Sequence, residues 1–246
     1  MKRRPIRGVL FDKDGTLFDF AATWRAAVEA LLDALAPGDA ALRLRLGGAI
    51  GYDPHSGRFA AGSPCVAGSG RQVAEALAAH LPGADPRALE AQALAAEAGL
   101  GEATLTPAAE DLGGLLGGLR RRGLRLGVAT HDSESAARRH LRAAGVHAHF
   151  DFVAGYDSGH GLKPGPGMVF AFAEATGLAP AEIAMVGDSL HDLGAARAAG
   201  AALAIGVLTG PADEEELGAL ADIVLPSIAA IPALLFSELF DEAPTA

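Results

Sequence analysis

The stretch Phe11–Asp19, FDKDGTLFD, is the most informative part of this sequence. It continues the apolar run Val9–Phe11 and places two acids, Asp12 and Asp14, one residue apart, directly before Gly15. Because side chains alternate between faces along a strand, both carboxylates can point to one centre only where the strand ends and the backbone turns. Glycine at such a turn lets the backbone approach a ligand closely. The pattern predicts a strand that ends in a site suited to a nucleophile, a proton carrier and a hard cation.

Strand-like apolar runs alternate with helical patterns over most of the chain. Helices are predicted between most of the strands, and one of them is predicted to begin at Thr106 with Pro107 in the first helical position. Alternating strands and helices predict an α/β core with a doubly wound, Rossmann-like parallel sheet, in which ligands bind beyond the carboxyl ends of the strands. The predicted strands are Ile6–Phe11, Leu124–Ala129, Phe150–Ala154, Ile183–Val186, Ala202–Val207 and Asp222–Leu225.

The segment from Phe20 to about Leu105 breaks this alternation, because it contains helical patterns and no convincing strand. Apolar residues recur at helical spacing from Trp24 onward, and the tryptophan is interpreted as core. Further helices are predicted near residue 40, after residue 69 and after residue 86. The stretch Gly47–Gly70 is rich in glycine and is predicted to be an irregular loop. We therefore expect a core formed by 1–19 and 106–246, with an inserted all-α cap at 20–105.

Three further sites fall at predicted strand ends. Thr130 ends an apolar run, and Lys163 stands just before a helix that Pro166 can begin. Asp188 and Asp192 lie four residues apart after the strand that ends at Val186. Each pattern alone is common, but four in this order, each at a strand end, form a joint argument for one site.

These motifs together resemble those of the haloacid dehalogenase-like superfamily of phosphohydrolases, in which the pattern Asp-x-Asp-Gly-Thr-Leu is the first motif. The resemblance extends over essentially the whole chain. The position and type of the insertion resemble the helical cap of the phosphoglycolate phosphatase-like subgroup. One departure weakens an assignment to phosphoglycolate itself, because His131-Asp132 follows Thr130 where the resembling phosphatases more often show Asn-Lys.

The resemblance assigns roles to the four acids. It implies that Asp12 is the nucleophile and a ligand of Mg²⁺. Asp14 is implied to be the acid and base of the reaction, and its backbone carbonyl a metal ligand. Asp188 is implied to supply a further carboxylate to the metal, and Asp192 to hold a metal-bound water or to orient Lys163.

Candidate substrate contacts lie in both parts of the chain. The resemblance implies that Thr130 and Lys163 bind phosphoryl oxygens, together with backbone amides of the turn after Asp12. His131 either contacts the substrate or has a solvated or helix-capping role. In the cap, Arg58 or His55 is a candidate contact for the organic part of the substrate, with Arg58 favoured if that part is anionic. The alternative is that both are solvated surface residues.

The combined prediction is a phosphoric monoester hydrolase, a Mg²⁺-dependent phosphatase that forms an aspartyl-phosphate. A sugar-phosphate mutase is the nearest alternative, but residues 18–23 offer no histidine or lysine of the kind that resembling mutases use. Asp14 disfavours a haloacid dehalogenase, because resembling dehalogenases usually lack the second acid. The presence of Asp12, Asp14 and Lys163 disfavours a non-catalytic phosphate-binding module. The expected partner is a small-molecule phosphate ester.

Composition excludes several other classes of function. The 246 residues carry a net charge of −10, and basic runs occur only at 2–4 and 120–122, which argues against nucleic-acid binding. The longest uncharged runs, 198–212 and 223–237, are shorter than a membrane-spanning helix requires. Cys65 is the only cysteine, so no intrachain disulfide can form and we predict a cytoplasmic location. The sequence leaves the oligomeric state open.

Overall fold

The computed structural model describes residues 5–99 and 105–236, which form an α/β core and a helical cap. The core contains a six-stranded parallel sheet. All six strands predicted from the sequence are present, with ends that differ by no more than two residues. They are β1 (Gly8–Phe11), β4 (Arg125–Ala129), β5 (Phe152–Ala154), β6 (Ile183–Gly187), β7 (Leu203–Val207) and β8 (Ile223–Leu225). Their order across the sheet is β5-β4-β1-β6-β7-β8.

The sheet is covered on both faces, which explains why its strands are continuous apolar runs. Every residue of β1, β6 and β7 is buried. Val9 and Phe11 pack into one layer of the core, whereas Leu10 packs into the other with Met185 and Phe172. The covering helices are α6 (Leu112–Arg121), α7 (Glu134–Ala143), α8 (Gly167–Thr176), α9 (Leu190–Ala199), α10 (Glu214–Gly218) and α11 (Ile231–Leu235).

The cap consists mainly of helices that begin where the sequence predicts. The Asp19 side chain accepts a hydrogen bond from the Ala22 amide at 2.8 Å and so begins the first of them. Val28, Leu32 and other apolar residues of these helices form a separate cap core. The cap helices are α1 (Phe20–Leu35), α2 (Ala40–Ile50), α3 (Pro64–Ala67), α4 (Gly70–Ala78) and α5 (Pro86–Gly99).

The prediction of an irregular loop at 47–70 was wrong. The segment begins inside α2, continues as a hairpin of β2 (Tyr52–Asp53) and β3 (Arg58–Phe59), and includes α3. The hairpin is held because Tyr52 is buried in the cap core, where its ring packs against the Phe59 ring with centroids 4.9 Å apart. The cap therefore contains a two-stranded hairpin in addition to its helices.

The chain leaves and re-enters the core through two adjacent segments. The Asp19 amide donates to the Thr106 carbonyl at 2.8 Å, and the Ala108 amide donates to the Leu17 carbonyl at 2.9 Å. The predicted helix start at Thr106 was therefore wrong: this backbone pairs with the outgoing segment, and α6 begins only after Asp111, which caps it. Residues 100–104 lie outside the described part, so the predicted boundary at 105/106 stays a prediction.

Within 5–99 and 105–236, no helix has the length and apolar character needed to cross a bilayer.

Candidate active site

The site lies at the carboxyl ends of three neighbouring strands. Asp12 follows β1, Thr130 follows β4 and Asp188 follows β6, and β1 lies between the other two in the sheet. The Asp12 amide donates to the Val186 carbonyl at 2.8 Å, which continues the pairing of β1 with β6 to the first site residue. Parallel strands bring these three side chains to one edge, as the sequence predicts.

Lys163 connects three parts of the site. Its ammonium group donates to Asp12 Oδ1 at 2.6 Å, to Asp192 Oδ1 at 2.6 Å and to the Ala129 carbonyl at 2.9 Å. The side chain is buried, and these three bonds match the three hydrogens of an ammonium group. Burial lowers the pKa of Lys163, but the carboxylates of Asp12 and Asp192 outweigh burial and leave it raised. Lys163 is therefore a fixed cation in contact with the predicted nucleophile.

Asp192 has both of its carboxylate oxygens engaged by neighbouring residues. Oδ1 accepts from Lys163, whereas Oδ2 accepts from the Ser189 hydroxyl at 2.6 Å and from the Ser189 amide at 3.1 Å. The Ser189 contacts form a capping box at the start of α9. Of the two roles that the sequence allows for Asp192, this arrangement supports the one in which it orients Lys163.

The site contains more buried negative than positive charge. Asp12, Asp188 and Asp192 offer carboxylate oxygens within 4.8 Å of one another, which could hold a metal ion. Burial raises the pKa of Asp12 to about 7; Lys163 opposes this rise, and Asp192 and Asp14 add to it. Burial also raises the pKa of Asp188 well above its ordinary value, with a further contribution from Asp12. A hard cation with oxygen ligands fits this set of donors.

Two glycines form a close cradle around Asp188. A Cβ atom on Gly15 or on Gly210 would overlap the Asp188 carboxylate, so neither position has room for a side chain. Gly15 also has a φ of +84°, which glycine adopts without strain. The Thr16 hydroxyl donates to Asp188 Oδ1 at 3.3 Å. Asp188 is thus held by two backbone segments, and the sequence analysis identified neither Thr16 nor Gly210.

Lys13 is a site residue that the sequence analysis missed. It is fully buried, and its ammonium group lies 2.7 Å from the Asp14 carboxylate, 3.3 Å from Asp132 Oδ2 and 3.0 Å from His140 Nδ1. The same group lies 5.5 Å from the centroid of the Trp24 ring. The available signal was a lysine between two acids at the end of a buried strand. The pairing fixes one side of the Asp14 carboxylate, while Asp14 also lines the cavity described below.

The segment after β4 contacts the backbone of Lys163 as well as providing Thr130. His131 Nε2 accepts a hydrogen bond from the Lys163 amide at 2.9 Å, so this nitrogen is the unprotonated one. The Thr130 hydroxyl accepts from the Asp132 amide at 3.0 Å. Thr130 and His131 both line the cavity, and their contact with substrate stays a prediction.

A cavity of about 1040 Å³, a volume that includes its open mouth, lies between the cap and this site. The core contributes Asp12, Asp14, Thr130, Lys163 and Asp188 to its floor. Its cap wall is largely apolar and includes Trp24, which is only partly buried although the sequence analysis interpreted it as core. The other apolar wall residues include Val28, Leu31, Ile50, Val73 and Leu94.

The predicted cap contacts do not line this cavity. Arg58 is exposed on β3, and His55 is exposed in the hairpin turn beside it. Neither residue is among those that surround the cavity. Instead, Glu90 of α5 lines it and accepts a hydrogen bond at 2.7 Å from the hydroxyl of Tyr156, a core residue that also lines it. The substrate contact of Arg58 stays a prediction.

The family model of haloacid dehalogenase-like hydrolases matches residues 6–200. The chain belongs to this family. Its similarity to a phosphoglycolate phosphatase of Rhodospirillum rubrum is 33% identity over 79% of the chain and 76% of the relative. A phosphoglycolate phosphatase of Chromobacterium violaceum is 39% identical over 54% of the chain and 57% of the relative, less than two thirds of that protein. These comparisons support a phosphoric monoester hydrolase.

The proteins that are similar to this chain are not limited to phosphoglycolate phosphatases. The tyrosine-protein kinase PtkA of Mycobacterium tuberculosis is 31% identical over 78% of this chain and 59% of its own. A solved haloacid dehalogenase-like hydrolase of Bacteroides fragilis shares the fold, with a TM-score of 0.72, 19% identity and coverage of 92% of this chain and 99% of that one. Substrate assignment therefore depends on this chain's own residues.

Proposed function

We propose that the protein is a Mg²⁺-dependent phosphatase that hydrolyses a small-molecule phosphate monoester through an aspartyl-phosphate on Asp12. The observation that carries this proposal is the contact of Asp12 with a fixed cation, Lys163, at a strand end that opens into a cavity. The ammonium group faces the point where a dianionic phosphate meets a carboxylate, so it opposes the repulsion between the two. The cytoplasmic location predicted from the single cysteine stays a prediction.

In the first step, an oxygen of the Asp12 carboxylate attacks phosphorus and forms a new P–O bond. The bond between phosphorus and the ester oxygen breaks, and its electron pair leaves with that oxygen. Asp14, which lines the cavity beside Asp12, gives its proton to the leaving alkoxide, so that a neutral alcohol departs. Lys163 stabilises the negative charge that develops on the phosphoryl oxygens.

In the second step, a water molecule attacks the phosphorus of the aspartyl-phosphate. Asp14, now ionised, takes a proton from this water, and the bond between phosphorus and the Asp12 oxygen breaks. The Asp12 carboxylate and the protonated form of Asp14 are thereby restored, and inorganic phosphate is released. Covalent catalysis of this kind replaces one difficult displacement with two easier ones.

Asp12 and Asp188 would hold Mg²⁺, together with the backbone carbonyl of Asp14. When bound, the metal supplies positive charge that offsets the phosphate and the buried carboxylates. Lys163 is the only cation that lines the cavity among the described residues. Asp192, through its bond to that cation, keeps Lys163 directed at Asp12.

The test is hydrolysis of a generic aryl phosphate by the purified chain, with Mg²⁺ and with EDTA. We expect release of inorganic phosphate that EDTA abolishes, and a trapped acyl-phosphate in the wild type but none in Asp12→Asn. Phosphate release that persists without metal, or normal turnover by Asp12→Asn, contradicts the proposal.

The alternatives give different products in parallel assays. Transfer of phosphate from ATP to a tyrosine peptide indicates a kinase, isomerisation of a sugar phosphate without phosphate release indicates a mutase, and halide release from a haloacid indicates a dehalogenase.

A further inference from the structure

We infer that the natural substrate is a phosphate ester of a neutral, apolar alcohol, and that the apolar cap wall of the cavity binds its organic part. The inference rests on the proposed phosphatase function and concerns only the leaving group. It departs from the carboxylate-bearing ester in the names of the two phosphoglycolate phosphatase relatives.

The cap wall of the cavity is largely apolar. Residues of α1, α4 and α5, with Trp24, Val28, Val73 and Leu94 among them, line the cavity opposite the predicted nucleophile. An alcohol that departs from phosphorus on the side opposite Asp12 meets these side chains. Apolar surface gains free energy by covering apolar groups of a ligand and offers no hydrogen bonds to a charged one.

The charged side chains that line the cavity away from Asp12 are acidic. Apart from the residues around Asp12, the charged groups that line the cavity are the acids Glu90 and Asp132; their neighbouring cations, Arg71 and Lys13, lie outside the lining. Lys163, the cation on the floor, is already bonded to two carboxylates. A carboxylate on the leaving group would face these acids with no cation of the described lining to pair with, which is costly in a partly buried site.

The described cap arginines lie outside the lining of the cavity. Arg71 is bonded to Glu75 at 2.7 Å and lies 4.0 Å from Glu90, and it is not part of the lining. Arg58 is exposed on the hairpin and is outside the lining as well. No arginine is found among the described cap residues that line the cavity.

A series of straight-chain alkyl phosphates tests the inference, with kcat/KM measured from methyl to pentyl phosphate in the presence of Mg²⁺. Burial of one methylene contributes about 0.8 kcal/mol, so we expect kcat/KM to rise about fourfold for each added carbon until the cavity is filled. We also expect propyl phosphate to exceed phosphoglycolate, which is similar in size but carries a carboxylate. A flat series, or a preference for phosphoglycolate, overturns the inference while leaving a phosphatase in place.

A result that refutes the proposed phosphatase function can be distinguished from one that refutes only the inference about the leaving group. If neither the alkyl series nor an aryl phosphate nor phosphoglycolate is hydrolysed, the chain is not a phosphatase of small esters and both conclusions fall.

A pair of matched variants tests whether the organic part of the substrate binds at the cap wall of the cavity. Leu94 and Leu44 both lie on cap helices and are 40% and 39% exposed, but only Leu94 lines the cavity. Leu94→Arg introduces a cation into the wall, so the ratio of kcat/KM for propyl phosphate to that for phosphoglycolate should fall at least tenfold. Leu44→Arg should leave that ratio unchanged. Equal effects of the two variants on this ratio would show that the cavity does not determine which substrate is preferred.

Discussion

The ammonium group of Lys13 lies 2.7 Å from both oxygens of the Asp14 carboxylate, and it is completely shielded from solvent. Lys13 stands between the predicted nucleophile, Asp12, and the predicted proton carrier, Asp14, in the sequence, and its ammonium group contacts Asp14. It also pairs with Asp132, which comes from the segment after β4. A single buried cation therefore links the first motif to the neighbouring strand end.

Replacing Lys13 with methionine, which has a similar length, should lower the free energy of unfolding by about 3 to 5 kcal/mol, because it removes the buried cation that contacts Asp14 and Asp132. Urea unfolding followed by circular dichroism measures this loss. The control is Arg7→Met, since the Arg7–Glu182 pair spans 3.5 Å at the surface and should contribute less than about 1 kcal/mol. Similar losses in both variants would show that the buried contacts of Lys13 contribute no more to stability than a surface ion pair does.

Loss of Asp14 should affect catalysis differently from loss of Asp12, the predicted nucleophile. Asp14→Asn keeps the nucleophile but removes the proton carrier, so turnover should fall by about 10² to 10⁴-fold. The loss should be smaller for an aryl ester with a good leaving group, because a phenolate of low basicity needs less protonation. Steady-state kinetics on a good and a poor leaving group measure this difference. The same loss on both esters would argue that Asp14 acts by position or charge rather than as the acid.

Magnesium should stabilise the folded protein independently of catalysis. A ligand that binds only the native state at a concentration 100 times its Kd adds about 2.7 kcal/mol of stability, so MgCl₂ should raise the Tm relative to NaCl at equal ionic strength. Asp188→Asn should lose most of this rise, because it removes one of three buried carboxylates. Asp33→Asn makes the same change in charge on a side chain that is 69% exposed and should retain the rise. An undiminished rise in Asp188→Asn would place the metal elsewhere.

The sequence predicts the position of the active site better than its surroundings. Asp12, Thr130 and Asp188 could be located because each follows an apolar run, and parallel strands present their ends at one edge. The hairpin Tyr52–Phe59 was missed because its strands are two residues long, too short to show a period of two.

The cavity could not be predicted either. Helical periodicity identifies an apolar face but not what that face covers, so Trp24 was interpreted as core although it lines the cavity. Lys13 was missed for a related reason. A charged residue in a turn is usually solvated, but the Lys13 side chain is enclosed by residues that are distant in the sequence, among them Trp24, Asp132 and His140 of α7.

The Cys65 thiol should be unreactive at neutral pH even though the residue lines the cavity. Burial raises the pKa of Cys65 to about 12. The raised pKa leaves only a small fraction of the thiol ionised at pH 8, and the thiolate is the reactive form. Iodoacetamide should therefore modify the native protein far more slowly than the protein unfolded in guanidinium, with a rate that keeps rising with pH beyond 9. Equal rates in the native and unfolded states at pH 8 would contradict this environment.

Gly210 provides the sharpest test of the Asp188 cradle. A Cβ atom there would overlap the Asp188 carboxylate, and the backbone of Gly210 does not have the positive φ that would itself exclude alanine. Gly210→Ala should therefore displace a carboxylate rather than strain a turn. We expect loss of the Mg²⁺-induced rise in Tm and a fall in kcat/KM of at least 100-fold for the aryl ester.

The matched control for Gly210→Ala is Gly218→Ala. Gly218 ends α10, and a Cβ atom there would have no atom within 4 Å outside its own helix and chain neighbours. This change should leave kcat/KM and the response to Mg²⁺ at wild-type values and, because alanine is the better helix former, should not lower stability. If Gly210→Ala behaves like Gly218→Ala in both measurements, Asp188 does not need the close backbone contact that the structure shows.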